Sequence, residues 1–357
     1  MKDLLIIGGF FLASVVFSIV VFSLLLRFIK TLGTKNQEEN LMIKWSNQTK
    51  PAIGGIGFFV CFVIAAIGGL LVADKRILDD VQLAGMLSAV CAGFMLGLAD
   101  DAYNTRPLLK FLGQIACGLL LYFTGNGIVF FDSQSLCVLA TVFWVVTIMN
   151  SINMLDNMDG ISGNVSAIIL MFFGLLLFFL SNQISALGIM ILGVVASLFG
   201  FMRFNNHPSE IFMGDSGSMF LGVILAVAGI KLGWNNVAGN NNLLLVAVFT
   251  VLAFWSTLND TFLVTINRLR HGTSPFVGGR DHTTHNLGYL GLADGMVMLV
   301  FRLFSLINVF IAWLVIAEIW PIWSGIAYLL GTHGVFHVIS ARNLKMKKYQ
   351  YAQTRTQ

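Results

Sequence analysis

Long apolar runs alternate with short polar segments along the whole chain, and most of the runs approach the ~20 residues that a helix needs to cross a bilayer. The pattern predicts eleven membrane spans, near 4–29, 52–73, 81–99, 108–124, 136–152, 163–181, 184–203, 216–235, 243–266, 292–317 and 319–340. The fourth and fifth are short. Glycine is frequent inside the runs, as expected where membrane helices pack closely, and no internal repeat is visible. The expected fold is all-α: a polytopic membrane helix bundle forming a single integral domain over residues 1–357, with a basic tail at 341–357.

Composition sharpens this picture. Of the 357 residues, 57% are hydrophobic and 11% charged, where a soluble domain carries about 25% charged residues. Cys61, Cys91, Cys117 and Cys137 all fall in or beside apolar runs without metal-ligand spacing, so they read as packing residues. The opening run is too long for a cleaved signal peptide and reads as a retained first span.

The basic residues set the orientation. With the amino terminus outside, the polar segments near 30–51, 100–110, 153–162, 203–215, 267–291 and 341–357 face the cytoplasm and hold Lys30, Lys35, Lys44, Lys50, Arg106, Lys110, Arg203, Arg268, Arg270, Arg280, Arg342, Lys345, Lys347, Lys348 and Arg355. The other side holds Lys2, Lys75, Arg76 and Lys231, with Trp234, Trp320 and Trp323 as interfacial anchors.

The polar chemistry also sits on the inner side. NSINMLDNMDG at 150–160 gathers Asp156 and Asp159 with Asn150, Asn153 and Asn157. Acids and amides at a helix mouth are costly unless they bind something. A helical turn there would put Asp156 and Asp159 on one face, suited to a hard cation or an amide-bearing ligand. Asp100 and Asp101 end the third span; vicinal carboxylates need a cation or a basic partner. Lys110 and Gln114 share a face of the next helix, and Lys110 reads as a phosphate ligand or a partner of Asp101. Asp215 lies between Gly214 and Gly217, where a ligand can approach the backbone, and Ser216 and Ser218 suit a helix cap. Phe212 is a packing residue or a stacking surface for a base. Lys50, before Pro51, either marks the inner side or meets a phosphate.

The segment 259–292 carries Asp260, Arg268, Arg270, Arg280, Asp281, His271, His282 and His285, the densest cationic cluster of the chain. Arginine forks suit diphosphate oxygens. His282 and His285 lack the further ligands of a zinc site. His333 and His337, four apart in the last span, read as a hydrogen-bonded packing pair. Together the acids suit Mg²⁺, with Mn²⁺ as a substitute, held jointly with substrate phosphates. The basic residues suit those phosphates, and the apolar helices suit a lipid. The inferred reaction is phosphoryl transfer between a soluble diphosphate and a lipid phosphate.

At this point the residues match a family. Five stretches between about Lys50 and Leu292 carry the likeness: Lys50-Pro51 through Gly54-Gly55; Asp100-Asp101 with Lys110 and Gln114; Asn150, Asn153, Asp156 and Asp159-Gly160; Phe212 with Gly214-Asp215; and Asp260-Thr261 through Ser274-Pro275-Phe276 to His282. In these the chain resembles the polyprenyl-phosphate N-acetylhexosamine-1-phosphate transferases, whose members begin O-antigen, enterobacterial common antigen and teichoic acid linkage synthesis. The peptidoglycan phospho-MurNAc-pentapeptide transferases are relatives.

The resemblance implies a homodimeric bundle of ten or eleven helices in the bacterial inner (cytoplasmic) membrane, with a cytoplasmic active site. It implies a UDP-sugar, a polyprenyl phosphate lipid and Mg²⁺ as partners, and no nucleic acid. It makes Asp215 the principal metal ligand and Asn153 the second. Asp100 becomes the residue that deprotonates the lipid phosphate, Asp101 its charged neighbour, and Asp159 and Phe212 the uracil contacts. Lys110, Arg270, Arg280 and His282 become diphosphate or sugar contacts. Asp156, Asn157 and His285 belong to the same site. Two departures stand out: Asn157 replaces the usual glycine after Asp156, and His282-Thr-Thr-His285 lacks the middle histidine of the usual run. The missing triple histidine favours a plain aminosugar over the peptide-bearing nucleotide. A membrane transporter is the reading from another class; it would place polar residues at mid-membrane in repeated broken helices.

Overall fold

One helix, α8 (Gly214–Ala228), organises the bundle. It is apolar on every face beyond its first turn, the signature of a helix surrounded by others. From Ser216 to Ile230 every residue is buried. The computed structural model describes residues 2–32, 50–72, 80–181, 185–235, 242–275 and 278–354. Phe276, Lys35, Lys44, Lys75, Arg76 and Arg355, all named above, lie outside them.

Thirteen α-helices are described: α1 (Lys2–Leu32), α2 (Gly54–Val72), α3 (Val81–Tyr103), α4 (Pro107–Leu121), α5 (Gln134–Leu155), α6 (Ile161–Ser181), α7 (Ala186–Asn205), α8, α9 (Leu243–Ala253), α10 (Trp255–Arg270), α11 (Thr283–Tyr289), α12 (Asp294–Ile316) and α13 (Ile322–Thr354). The only β-type pairing among the described residues is a single parallel bridge between Ala52 and Phe212. Helices α2, α3 and α5 close around α8, with α1, α6 and α7 outside them on one flank and α4 on another. Gly97 of α3 makes this approach possible: a Cβ there would lie 2.5 Å from the Cα of Ser216.

Ten of the described helices are long and apolar enough to cross a membrane. The expected ninth span, 243–266, needs correction. It is two helices, α9 and α10, bent by 87° at Phe254. The physical cause is a change of character at that point. The α9 run LLLVAVFTVLA is uniformly apolar, whereas α10 carries Ser256, Thr257, Asn259, Asp260 and Asn267 among its buried residues. At the break the Phe254 carbonyl accepts the Thr257 hydroxyl at 2.8 Å as well as the Thr257 and Leu258 N–H groups at 3.0 and 3.1 Å, so the helix restarts with that backbone group satisfied. The Phe254 ring is locked edge-on to Trp144 at 5.1 Å.

In α13, His333 and His337 are hydrogen-bonded packing residues as expected, each bonding to α10 rather than to the other. His333 Nδ1 meets Asn259 Oδ1 at 2.7 Å, and His337 Nε2 meets an Arg270 guanidinium nitrogen at 3.4 Å. Both histidines tie α13 to α10.

Candidate active site

The site begins with a helix cap supplied from another helix. Neither Ser216 nor Ser218 caps α8, and its N-cap residue, Met213, offers no side-chain bond. Instead Asp101, at the end of α3, accepts the backbone N–H of Asp215 at 2.8 Å and of Ser216 at 2.9 Å. A carboxylate at a helix N-terminus satisfies orphan donors and the helix dipole together. Gly214 permits the close approach: it has φ +76°, and a Cβ there would lie 2.9 Å from an Asp101 oxygen. Asp101 is therefore spent on holding the turn that presents Asp215.

Asp215 points into a cluster drawn from four helices. The Lys110 ammonium of α4 donates to Asp215 Oδ1 at 2.7 Å, Asp100 Oδ2 at 2.9 Å and Asn153 Oδ1 at 3.4 Å. Asn153 Nδ2 donates to Asp215 Oδ1 and, at 3.0 Å, to Ser218. Asp100 also accepts from Thr105, through its hydroxyl and, at 2.9 Å, its backbone N–H. One turn deeper, Gln114 and Asn150 bond reciprocally through their amides at 2.7 and 3.3 Å, fixing α4 against α5. Three oxygens from Asp100, Asn153 and Asp215 thus converge on one cationic point.

Beside this cluster, residues 50–54 run along 211–213. Phe212 N–H donates to the Pro51 carbonyl at 2.9 Å, and Gly54 N–H to the Phe212 carbonyl at 3.1 Å. That pairing sets Lys50 over the Phe212 ring at 5.3 Å. The Lys50 ammonium donates to Ser209 at 3.0 Å and lies 3.4 Å from Asp159. Asp159 also accepts the Ser209 backbone N–H at 3.0 Å, and His207 stands 3.6 Å away. Burial alone would raise the Asp159 carboxyl; the Ser209 donors and the Lys50 ammonium outweigh it and hold the group below the usual carboxylate range.

A third group hangs on Asp260 of α10. Its buried carboxylate lies 2.8 Å from His282 Nδ1 and accepts the Thr283 backbone N–H at 2.7 Å and hydroxyl at 2.6 Å. As a carboxylate, Asp260 only accepts, so it selects the Nδ1–H tautomer and leaves Nε2 of His282 as the basic nitrogen. His285 is buried one turn on, its ring 5.4 Å from that of His282. Burial, reinforced by neighbouring His282, pushes His285 down to about 3.

The remaining expected residues divide. Asp156 and Asp159 do not share a helical face, because α5 ends at Leu155 and residues 156–160 form a turn. Asp156 stands half-buried at that boundary. Asn157 links the turn to α11, its side-chain oxygen accepting Thr284 Oγ1 at 2.6 Å. The stretch 153–159 therefore touches all three groups. Arg268 is not a free phosphate ligand. It forks onto Asp281 at 2.7 and 2.8 Å and onto the Pro275 carbonyl at 2.7 Å. Burial of Asp281 is outweighed by that guanidinium, which holds its carboxyl low. Arg270 is exposed and leans to His337. Arg280 lines a polar cavity of about 170 Å³ between α10, α11 and α13, whose walls do not include the Asp215 cluster. Thr105, Ser209 and His207 carried no signal in the sequence; Thr105 folds back on Asp100, five residues earlier, and Ser209 and His207 meet Asp159, far away in the chain.

An α-helical membrane bundle whose clustered acids and amides come from helix ends and the turns between them suits a membrane enzyme acting at one face; among the described residues one helix pair is broken, at Phe254, without the repeat expected of a transporter. The comparisons agree. Residues 83–233 match the pattern of the family described as Glycosyl transferase family 4. The chain is 30% identical, over 295 residues, to the decaprenyl-phosphate N-acetylglucosaminephosphotransferase of Mycolicibacterium smegmatis, covering 72% of this chain and 69% of that one. It is 26% identical over 306 residues to a Bacillus subtilis protein named "Probable undecaprenyl-phosphate N-acetylglucosaminyl 1-phosphate transferase", covering 83% and 81%. A phospho-N-acetylmuramoyl-pentapeptide-transferase of Thermoanaerobacter sp. is 31% identical over 218 residues, covering 56% and 66%. The chain belongs to glycosyl transferase family 4. It is a multi-pass membrane transferase of that family.

Proposed function

We propose that the chain transfers N-acetylglucosamine 1-phosphate from UDP-N-acetylglucosamine to undecaprenyl phosphate at the cytoplasmic face of a bacterial inner membrane, as the first lipid-linked step of a surface polysaccharide. The names of its relatives in Bacillus subtilis and Mycolicibacterium smegmatis support a polyprenyl phosphate acceptor and an aminosugar phosphate donor. In the reaction an oxygen of the lipid phosphate attacks the β-phosphorus of the UDP-sugar. The bond from that phosphorus to the oxygen shared with the α-phosphate breaks, and UMP leaves with that oxygen. A phosphomonoester has a second pKa near ~6, so much of the attacking lipid is already dianionic at neutral pH.

The observation that carries the proposal is the convergence of Asp100, Lys110, Asn153 and Asp215 on one point. The all-oxygen donor set fits a hard divalent cation, which commonly binds through one or two carboxylates plus substrate phosphates. Asp215, Asn153 and Asp100 would hold Mg²⁺, which when bound neutralises charge on the diphosphate. Lys110 supplies a second positive charge to the same phosphates. Asp101 keeps Asp215 in place. Lys50, Asp159 and Phe212 form the end of the site suited to the uracil base, with the ring as stacking surface and Asp159 as hydrogen-bond acceptor. His282, oriented by Asp260, presents a basic nitrogen toward the sugar phosphate. Leu108, Leu109 and Leu112 of α4 face outward beside Lys110, a surface suited to a polyprenyl chain. We further propose that two copies assemble as a dimer, with the amino terminus outside and the carboxy terminus in the cytoplasm.

The test is UMP release from a panel of UDP-sugars with undecaprenyl phosphate. Release with UDP-N-acetylglucosamine supports the proposal. Release only with the muramoyl-pentapeptide nucleotide would move the chain to the activity named for its Thermoanaerobacter relative. No release with any donor, under conditions in which the chain is folded, would overturn the reading.

A further inference from the structure

Arg302 is a cation inside a membrane helix with no acid among the described residues to neutralise it. It lies eight residues into α12, about 12 Å along the axis at 1.5 Å per residue. Among the described residues it makes no hydrogen bond and no ion pair, and its Nε–H is buried without an acceptor. Its neighbours define where it faces. Leu299 and Leu306, three before and four after, share its side of the helix and are 40% and 46% exposed. Met298, one turn before, packs on Gly160 at the start of α6, whereas Phe304 on the opposite flank packs on Phe336 of α13 at 5.5 Å. The arginine therefore occupies the lipid-facing edge of the seam between α12 and α6.

Helical side chains of this length point back toward the N-terminus of their helix. For α12 that is the end bearing the polar loops, so the guanidinium reaches up to the level of lipid headgroups. A buried, charged N–H without an acceptor costs more than an ordinary lost hydrogen bond. Intramembrane arginines persist where an anion completes them, and basic residues between membrane helices on the inner side take anionic headgroups. The site is distinct from the Lys110 cluster, which belongs to α3, α4, α5 and α8.

We infer that Arg302 binds the phosphodiester of an anionic glycerophospholipid of the inner leaflet, in the seam between α6 and α12. The inference does not depend on the proposed reaction.

The test uses the full chain, reconstituted in phosphatidylcholine containing phosphatidylglycerol and then re-extracted, with retained lipid read by native mass spectrometry. Wild type keeps phosphatidylglycerol. R302Q keeps about fivefold less, as losing ~1 kcal/mol of headgroup attraction implies, while R302K stays close to wild type. L306E provides a second variant that leaves the arginine in place. Its carboxylate, four residues on, would neutralise the guanidinium and displace the lipid, and L306Q would not. Phosphatidylglycerol retained equally by wild type, R302Q and L306E would overturn the inference. So would a loss confined to added undecaprenyl phosphate, which would make Arg302 a substrate contact. If R302Q does not run as a single species on gel filtration, the L306E and L306Q pair decides.

Discussion

The carboxylate of Asp101 holds the backbone of Asp215, accepting its N–H at 2.8 Å across the junction between α3 and α8. Two acids that look equivalent in the sequence, Asp100 and Asp101, therefore do different work. Asp100 faces the Lys110 ammonium, and Asp101 fixes the turn from which Asp215 projects. Removing a carboxylate cap costs about 0.5–2 kcal/mol. D101A is expected to lower the thermal midpoint of the detergent-solubilised protein and to reduce UMP release at least ~10-fold. D101N, which keeps one acceptor, should lie between. A D101A protein with wild-type rate and midpoint would remove the capping role.

Gly97 tests the same junction from the other side. A Cβ at position 97 would lie 2.5 Å from the Asp215 carbonyl carbon, with no flexible side chain to yield. G97A is expected to cut folded yield and activity severely, by the overpacking cost of roughly 1–3 kcal/mol or more. G278A, where a Cβ would meet nothing within 4 Å, should behave as wild type. Yield after size exclusion and UMP release measure both.

In the proposed reaction Asp260 would act through His282, whose Nδ1 lies 2.8 Å from its carboxylate. D260N should lower kcat more than KM, because an amide can bond Nδ1 without enforcing the tautomer. The variant's pH–rate profile should shift relative to wild type. In the double variant D260N/H282N the losses should not add, as expected for residues acting as a unit. Additive losses, or an unchanged pH profile, would reduce Asp260 to a packing role.

His285 makes stability depend on pH. Its folded pKa, about 3, lies below the unfolded value of ~6.5. Between these values the unfolded chain binds the proton and the folded chain does not, so stability falls as pH drops from about 6.5 toward 3, by up to about 1.4 kcal/mol per pH unit. Thermal unfolding followed from pH 7.5 to pH 5 should show this decline, and H285N should flatten it. A decline of equal slope in H285N would place its origin elsewhere.

Lys50 and Phe212 form the proposed base-binding end. K50A and F212A are expected to raise KM for the UDP-sugar ~10-fold or more with a smaller change in kcat, whereas F212W should retain binding, since stacking on an aromatic face is tolerant of ring type. Initial-rate kinetics with varied UDP-sugar separate these outcomes.

The bundle was legible in the sequence because apolar run length reports crossing helices directly. The break at Phe254 was not, since residues 243–266 are apolar enough on average to pass for one span. What betrays the break is the polar sequence Ser256-Thr257-Leu258-Asn259-Asp260 that follows. Which acids and amides come together in the candidate site was largely legible because such a residue at a membrane helix mouth is conspicuous. Their partners were less so. Spacing suggested that Asp156 and Asp159 share a face, but the helix stops at Leu155 and its rule stops with it. Arg268 stands out in the sequence only as part of a cationic cluster whose forks suit phosphate, whereas its own fork is filled by Asp281, thirteen residues on. Lys50 was open between a topology marker and a ligand, and only the pairing of residues 50–54 with 211–213 brings it to Asp159. Contacts between distant loops carry no periodicity, which is why the acids could be named and their neighbours could not.

The central claim is that Asp215, gathered with Asp100, Lys110 and Asn153, handles the diphosphate of a UDP-sugar. The most direct measurement is Mg²⁺-dependent UMP release by the purified chain, given UDP-N-acetylglucosamine and undecaprenyl phosphate, comparing wild type with D215N. Wild type should release UMP until the divalent cation is chelated, and D215N, still folded, should lose several orders of magnitude in rate. Full activity in D215N would contradict the claim.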